Sequence, residues 1–239
     1  MSRPARARWI VAGGGIAYAL LLRPRLLTWG ATRAESTGPL GGDDLLHSRW
    51  QTTRAVSIDA PPEDVWPWLV QVGFGRAGWY SYDWLERMVG AGTFAEGGSA
   101  RSVLPQFQGL AVGDPVPLSP AGGLTAAIVD PPRALVLRMT MNALTGGPAR
   151  AADRVVLDWS WAFTLVPVGP RSCRLVVRVR ADYRPWAFGL LIPLLLEPVH
   201  LMMERAMLRG ILHRSADAAP QTSLRPCRPS VVRRVDLPR

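Results

Sequence analysis

Large apolar residues occupy every second position from Val155 to Leu165, and polar residues stand between most of them. This alternation predicts a β-strand with one face on a core or cavity and the other in water. After a Pro/Gly-containing turn at Val166–Ser172, the pattern returns at Arg174–Tyr183. In this second strand Leu175, Val177 and Val179 are expected to point inward, and Arg174, Arg178, Arg180 and Asp182 outward. The two segments predict a long antiparallel hairpin.

The preceding residues predict a strand, two helices and three further strands. Thr52–Ile58 has β character, and Pro61 and Pro62 before Glu63 indicate the start of a helix over Glu63–Val72. A second short helix is expected at Tyr82–Val89, ended by Gly90. The remaining strands are expected at Leu110–Leu118, Leu124–Val129 and Ala134–Met141.

The last element, Pro185–Arg214, is helical in character and apolar through Met203, except for Glu197 and His200. Its apolar length is compatible with a membrane span, but Pro193, Pro198 and the Glu–His pair favour packing against the sheet, with kinks at the prolines. The order of elements therefore predicts an α+β fold in which a long C-terminal helix covers an antiparallel sheet. An incompletely filled space between them would form a cavity.

The termini differ from the centre of the chain in composition. Three arginines precede the uncharged run Trp9–Leu22, which is short for a spanning helix, has no clear signal-peptide cleavage site, and is flanked by arginine on both sides. We expect residues 1–28 to be a membrane anchor on the inner face of the cell membrane, with a docking N-terminal helix as the alternative. The domain is expected to be cytoplasmic and to span residues 29–214, followed by a disordered basic tail at 215–239.

Charge and cysteine content narrow the function classes. The net charge of +10 comes from 28 basic residues, all arginine, and its excess lies in the two termini rather than in the domain. A nucleic-acid-binding protein should carry its basic patch on the folded domain, so we expect no nucleic-acid partner. The two cysteines, Cys173 and Cys227, form no disulfide framework and indicate a reducing compartment.

One aromatic-rich run resembles a known family. It comprises Val65-Trp66-Pro67-Trp68-Leu69-Val70-Gln71, then Gly73, Arg76-Ala77-Gly78-Trp79-Tyr80-Ser81-Tyr82-Asp83-Trp84 and Glu86. This run is similar to a bacterial subgroup, of unassigned function, of the SRPBCC (START/Bet v 1-like, polyketide cyclase-like) superfamily. The resemblance implies a helix-grip fold with an internal pocket. It does not imply one reaction, because the superfamily includes lipid carriers, aromatases/cyclases, hormone receptors and quinone-binding proteins.

Polar residues of this run are candidates for the pocket mouth. Arg76, Tyr80 and Asp83 could hold and orient a carboxylate or carbonyl group, or they could form a structural brace together with Glu86. Gln71 could point its amide into the cavity or satisfy backbone groups at the helix end. The aromatic residues Trp68 and Trp84 are added as expected ligand contacts.

The strand and the C-terminal helix supply the other candidates. Trp159 and Trp161 project from one face of their strand, as core residues or as a cavity wall. Glu197, His200 and Glu204 share one helical face, and a His200–Glu204 pair could be structural or could give acid/base help. Three histidines in the whole chain are a poor ligand set, so we expect no metal site and no cofactor.

These observations favour a binding protein for a hydrophobic small molecule, lipid-like or polycyclic, over an enzyme. The alternative is a polyketide aromatase/cyclase in which Arg76, Tyr80 and His200 line the pocket and assist ring closure. No serine-protease-like order, P-loop or HExxH motif is present in the sequence.

Overall fold

The structure is a computed structural model that describes residues 13, 15, 17–81, 98–120, 122–190, 192 and 196–218. Its helices are α1 (Arg23–Leu27), α2 (Arg33–Thr37), α3 (Pro62–Val70) and α4 (Glu197–Ala218). Its strands are β1 (Trp50–Ile58), β2 (Pro115–Ser119), β3 (Gly122–Asp130), β4 (Ala134–Asn142), β5 (Val156–Gly169) and β6 (Ser172–Arg184). A π-helical turn at Tyr18–Leu22 and 3-10 turns at Asp43–Leu45, Pro105–Phe107 and Trp186–Leu190 connect them.

The six strands form one antiparallel sheet in the order β1-β6-β5-β4-β3-β2. Register shifts in the β2–β3, β3–β4 and β5–β6 pairs bend the sheet, because a bulge adds a residue to one strand only. Helix α4 packs on the concave face, where Met207, Leu208 and Ile211 join the main core with Phe163 and Val177. This is the helix-grip (Bet v 1-like) architecture, and the prediction of the fold class is confirmed.

The inward pattern of the β5–β6 hairpin is confirmed, but part of its outer face is covered by another segment of the chain. Arg178, expected to point into solvent, has a side chain only 3% exposed. Its guanidinium donates to the carbonyls of Gly38 (3.0 Å) and Glu35 (2.7 Å), and forms an ion pair with Asp43. The expectation was wrong because residues 35–43 run across this face, which alternation within the strand cannot reveal.

Helix α2 fastens this covering segment to the sheet. Thr32 and Glu35 form a reciprocal capping box at its start. The Glu35 carboxylate also accepts from Arg174 of β6 at 2.8 Å. This hydrogen bond is the main reason why the pKa of Glu35 is lowered to about 2.

Several element boundaries differ from the sequence prediction. Strand β2 begins at Pro115 rather than at Leu110, since a turn and not a strand precedes it. Helix α4 begins at Glu197, so Pro198 lies in its first turn, where a proline needs no kink. The segment that follows β6 is a 3-10 turn. The second predicted helix, Tyr82–Val89, and Pro193 lie outside the described residues.

The N-terminal segment is described only in part. Residues 1–12, 14 and 16 and the tail from 219 onward lie outside the described residues. Among those that are described, no helix has the length and apolarity that crossing a bilayer would require. Leu20, Leu21 and Leu22 are 69%, 61% and 49% exposed.

The two edge strands of the sheet make backbone contacts with other parts of the chain. On β2, the carbonyl of Pro117 accepts from the backbone N–H of Phe74 at 2.7 Å. On β1, the backbone N–H of Ala55 donates to the carbonyl of Trp29 at 3.2 Å.

Candidate ligand cavity

A cavity of about 640 Å³ lies between the concave face of the sheet and helix α4. Aromatic and methionine side chains dominate its wall: Trp79, Trp159, Trp161, Met139, Met141, Met203 and Met207. Gly122, Gly123, Gly146 and Gly147 line it where the β2–β3 and β4–β5 connections come together. The volume is within the usual range for small-molecule sites, roughly 300–1,000 Å³.

Glu204, one member of a buried ion pair, lines this cavity. Arg54 of β1 contacts Glu204 of α4, and their side chains are 0% and 1% exposed. The indole N–H of Trp161 donates to the other carboxylate oxygen of Glu204 at 3.2 Å. Burial raises the pKa of the Glu204 carboxyl, whereas Arg54 and Trp161 oppose that rise by stabilising the carboxylate. Because arginine stays protonated, an ionised Glu204 leaves the pair without net charge.

His200 lies on the cavity wall beside this pair. Its Nδ1 atom is 3.1 Å from Nη1 of Arg54, and its Nε2 atom is 4.0 Å from Oε1 of Glu204. The imidazole ring contacts Trp159 and Trp50 edge-on, with centroid distances of 5.3 Å and 5.7 Å. Burial, and to a lesser extent the charge of Arg54, lower the pKa of His200 to about 3. His200 is therefore neutral at pH 7.

We expect this histidine to make the protein less stable in acid. The pKa of His200 is about 3 in the folded protein and about 6.5 in the unfolded chain. Between these pH values the unfolded chain therefore binds a proton at His200 that the folded protein does not bind. Stability present above pH 6.5 is thus lost as the pH falls toward 3. Between pH 7 and pH 4 the wild type should lose about 2–3 kcal/mol more than His200→Gln, at 1.36 kcal/mol per pKa unit. Urea unfolding of both proteins at the two pH values measures the difference. If both lose the same free energy of unfolding, the pKa of His200 is not lowered as stated.

Glu197, the third residue on that helical face, does not line the main cavity. Its carboxylate accepts from the indole N–H of Trp50 at 2.8 Å and from the Arg23 guanidinium at 2.6 Å. It contributes instead to a second space of about 360 Å³ between α4 and the N-terminal segment, which Arg54 also lines. Glu197 thus attaches α1 to the start of α4.

Gln71, Tyr80 and Trp68 also lie away from the cavity wall. The Gln71 amide donates to the Tyr80 hydroxyl at 2.7 Å and accepts from the backbone N–H of Leu104 at 2.9 Å. The Tyr80 hydroxyl donates to the carbonyl of Trp68 at 3.2 Å, and burial raises the Tyr80 pKa well above its usual range. These bonds hold residues 102–108 against helix α3. The polar atoms of Gln71 and Tyr80 are therefore used within the protein.

Arg76 terminates helix α3. Its guanidinium donates to the carbonyls of Val72 at 3.0 Å and Val70 at 2.7 Å, and lies over the ring of Phe107 with 4.7 Å between Cζ and the ring centroid. These bonds satisfy carbonyls that a helix end otherwise leaves free. Burial lowers the pKa of Arg76. The contacts favour the structural alternative for Arg76, with carbonyls rather than carboxylates as its described partners.

Of the sequence candidates, the structure brings Trp159, Trp161 and His200 together at the cavity. Asp83 and Trp84 lie outside the described residues. Within the described part of the chain, no group of three or more metal-ligating side chains occurs. Two residues of the site were not among the candidates predicted from the sequence, Trp79 and Arg54. Trp79 lies in the aromatic-rich run, and Arg54 lies on the same face of β1 as the core residues Trp50 and Ile58.

No protein-family model matches the chain, and no curated protein does. Solved structures with similar backbones include a conserved protein from Geobacillus kaustophilus (12% identity, 71% of this chain and 97% of that one, TM-score 0.41). Another is a truncated norcoclaurine synthase from Thalictrum flavum (17% identity, 68% and 93%, TM-score 0.36). A third is a protein from Arthrobacter aurescens (14% identity, 72% and 91%, TM-score 0.39). Similarity at this level is a likeness of backbone shape alone.

Proposed function

We propose that this protein binds a hydrophobic small molecule, lipid-like or polycyclic, in the cavity between the sheet and helix α4. The observation that carries the proposal is the cavity itself: about 640 Å³ lined by three tryptophans and four methionines, with His200 and the Glu204 carboxyl group of a buried ion pair among its polar lining groups. An apolar space of this size with a few convergent polar groups is typical of a ligand site. The similarity of the Val65–Glu86 run to a bacterial SRPBCC subgroup supports the same function.

The alternative, an aromatase/cyclase with acid/base residues, has less support. Of its three candidate residues only His200 lines the cavity, since Arg76 and Tyr80 bond to the protein's own backbone and side chains. A general acid or base works best with a pKa near the operating pH, and the pKa of His200 is about 3. The arrangement therefore favours binding over acid/base catalysis.

Two neighbouring methionines on α4 allow a matched test. Met203 lines the cavity, whereas Met202 is 45% exposed and lines the second, smaller space instead. Met203→Trp should fill part of the space and weaken binding of the neutral fluorescent probe N-phenyl-1-naphthylamine by at least about tenfold, or about 1.4 kcal/mol. Met202→Trp should bind as the wild type does. Fluorescence titration of delipidated protein measures both.

The proposal fails if the delipidated wild type takes up no probe and native mass spectrometry of the purified protein shows no bound small molecule. Equal loss of affinity in the two variants would place probe binding elsewhere on the protein.

A further inference from the structure

The position of the proton on His200 follows from its neighbour. A guanidinium carries only hydrogen-bond donors, so Nη1 of Arg54, 3.1 Å from Nδ1 of His200, requires Nδ1 to accept. A neutral imidazole has one N–H, which must then be on Nε2. The Nε2 atom of His200 is thus a hydrogen-bond donor and not an acceptor.

That donor has no partner among the described residues. Nε2 of His200 is buried without a hydrogen bond, and the distance of 4.0 Å to Glu204 is too long for one. The indole N–H of Trp79 is likewise buried and without a partner. These are the two buried side-chain nitrogen or oxygen atoms without a partner among the described lining residues of the cavity, and both are donors. Because buried polar groups are nearly always hydrogen-bonded, each donor indicates an acceptor beyond the described part of the chain, and a bound ligand would supply it.

The shape and charge of the wall restrict the remainder of the ligand. Trp79 stacks on Trp161 with 5.2 Å between centroids and an interplanar angle of 10°, and Trp159 lies further along the same face of β5. Indole faces and methionine sulfurs pack well against flat, polarisable rings. Arg54 is not among the residues that line this cavity, and the lining residue His200, whose Nδ1 accepts from Arg54, carries no charge, so the described wall offers no cation for an anionic ligand.

We infer that the ligand is a neutral, flat, ring-conjugated molecule bearing at least one carbonyl oxygen, an aromatic ketone or quinone, and that this oxygen accepts a hydrogen bond from Nε2–H of His200. This assignment rests on the proposed function, since it specifies the ligand class of the same cavity. Trp79 supplies a second donor on the same wall. Helix α4 and strand β1 hold the imidazole in place through Arg54.

Three compounds with one carbon framework test the assignment: 9-fluorenone, fluorene and fluorene-9-carboxylate. Each is titrated against protein loaded with N-phenyl-1-naphthylamine, and its dissociation constant is taken from displacement. We expect 9-fluorenone to bind about tenfold more tightly than fluorene although it is the less hydrophobic of the two, as a hydrogen bond to a buried donor would cause. The carboxylate should bind more weakly than both.

Variants assign the preference to His200. In His200→Phe the ratio of the dissociation constants of fluorene and 9-fluorenone should fall from about ten to about one, whatever the affinity for fluorene itself, whereas His200→Gln, whose amide can accept from Arg54 and donate to the ligand, should retain the preference in part. A second measurement uses the wild type alone. The carbonyl stretch of bound 9-fluorenone should lie at lower wavenumber than in hexane, because accepting a hydrogen bond weakens the C=O bond.

The outcomes separate the two proposals. If the delipidated wild type does not bind the probe and native mass spectrometry of the purified protein shows no bound small molecule, the proposed function fails. If fluorene and 9-fluorenone bind equally, if the carboxylate binds most tightly, or if the carbonyl stretch remains at its hexane value, the ligand class is refuted while the proposed function stands. A preference that persists in His200→Phe refutes the role of His200.

Discussion

Glu204→Gln is expected to lower the free energy of unfolding by about 3–5 kcal/mol, the usual cost of removing one partner of a buried ion pair. Arg54 would keep its charge in a position that is 0% exposed, without a carboxylate to balance it. The indole N–H of Trp161 would also lose a charged acceptor. Urea unfolding followed by circular dichroism measures the change, with the wild type at the same pH.

Two comparisons make this result specific to the buried pair. Asp130→Asn breaks an ion pair with Arg133 that lies at the surface, and it should leave the free energy of unfolding almost unchanged. The double variant Arg54→Met/Glu204→Leu should recover most of the loss, because it removes both charges together. If Glu204→Gln is no more destabilising than Asp130→Asn, the pair does not have the cost assigned to it.

Arg178→Met is the second substitution expected to have a large effect, about 2–4 kcal/mol in the free energy of unfolding, because two backbone carbonyls and one carboxylate lose a charged donor. The methionine keeps the apolar stem of the arginine but cannot bond to Asp43 or to the carbonyls of Glu35 and Gly38. The segment of residues 35–43 should then separate from the sheet more often than the core unfolds. Limited proteolysis should cut the variant within that segment under conditions in which the wild type is intact.

The matched control lies on the same hairpin. Arg171→Met changes an exposed arginine in the β5–β6 turn and should leave both the stability and the cleavage pattern unchanged. If the two variants behave alike, the covering segment is held by contacts other than those of Arg178.

The fold could be predicted from the sequence because its main elements have strong local patterns. The alternation in β5 and β6 and the helix start at Pro62 depend on neighbouring residues, which a sequence displays directly. The burial of Arg178 could not be predicted in this way. Its cover comes from residues about 140 positions earlier in the chain, and no local pattern reports such a contact.

The residues that β5 and α4 contribute to the candidate site could be predicted from the sequence, but the ion pair beside them could not. Trp159, Trp161 and His200 follow from periodicity. The pairing of Glu204 with Arg54 spans 150 positions, so the helix alone suggested a His200–Glu204 pair instead. One signal was present in the sequence: an arginine at an inward position of an otherwise core-facing strand needs a partner.

The contacts at the edges of the sheet have a consequence for self-association. In β2 the carbonyl of Pro117 faces away from β3 and bonds to Phe74, and Pro115 and Pro117 have no N–H to offer on that side. On the other edge, β1, the N–H of Ala55 donates to the carbonyl of Trp29. An open sheet of this length would otherwise present rows of unpaired groups to the sheet of a second molecule. The β2 edge is thus a poor template for strand exchange or fibril growth, and the β1 edge is blocked at Ala55, although the six-stranded sheet does not close into a barrel.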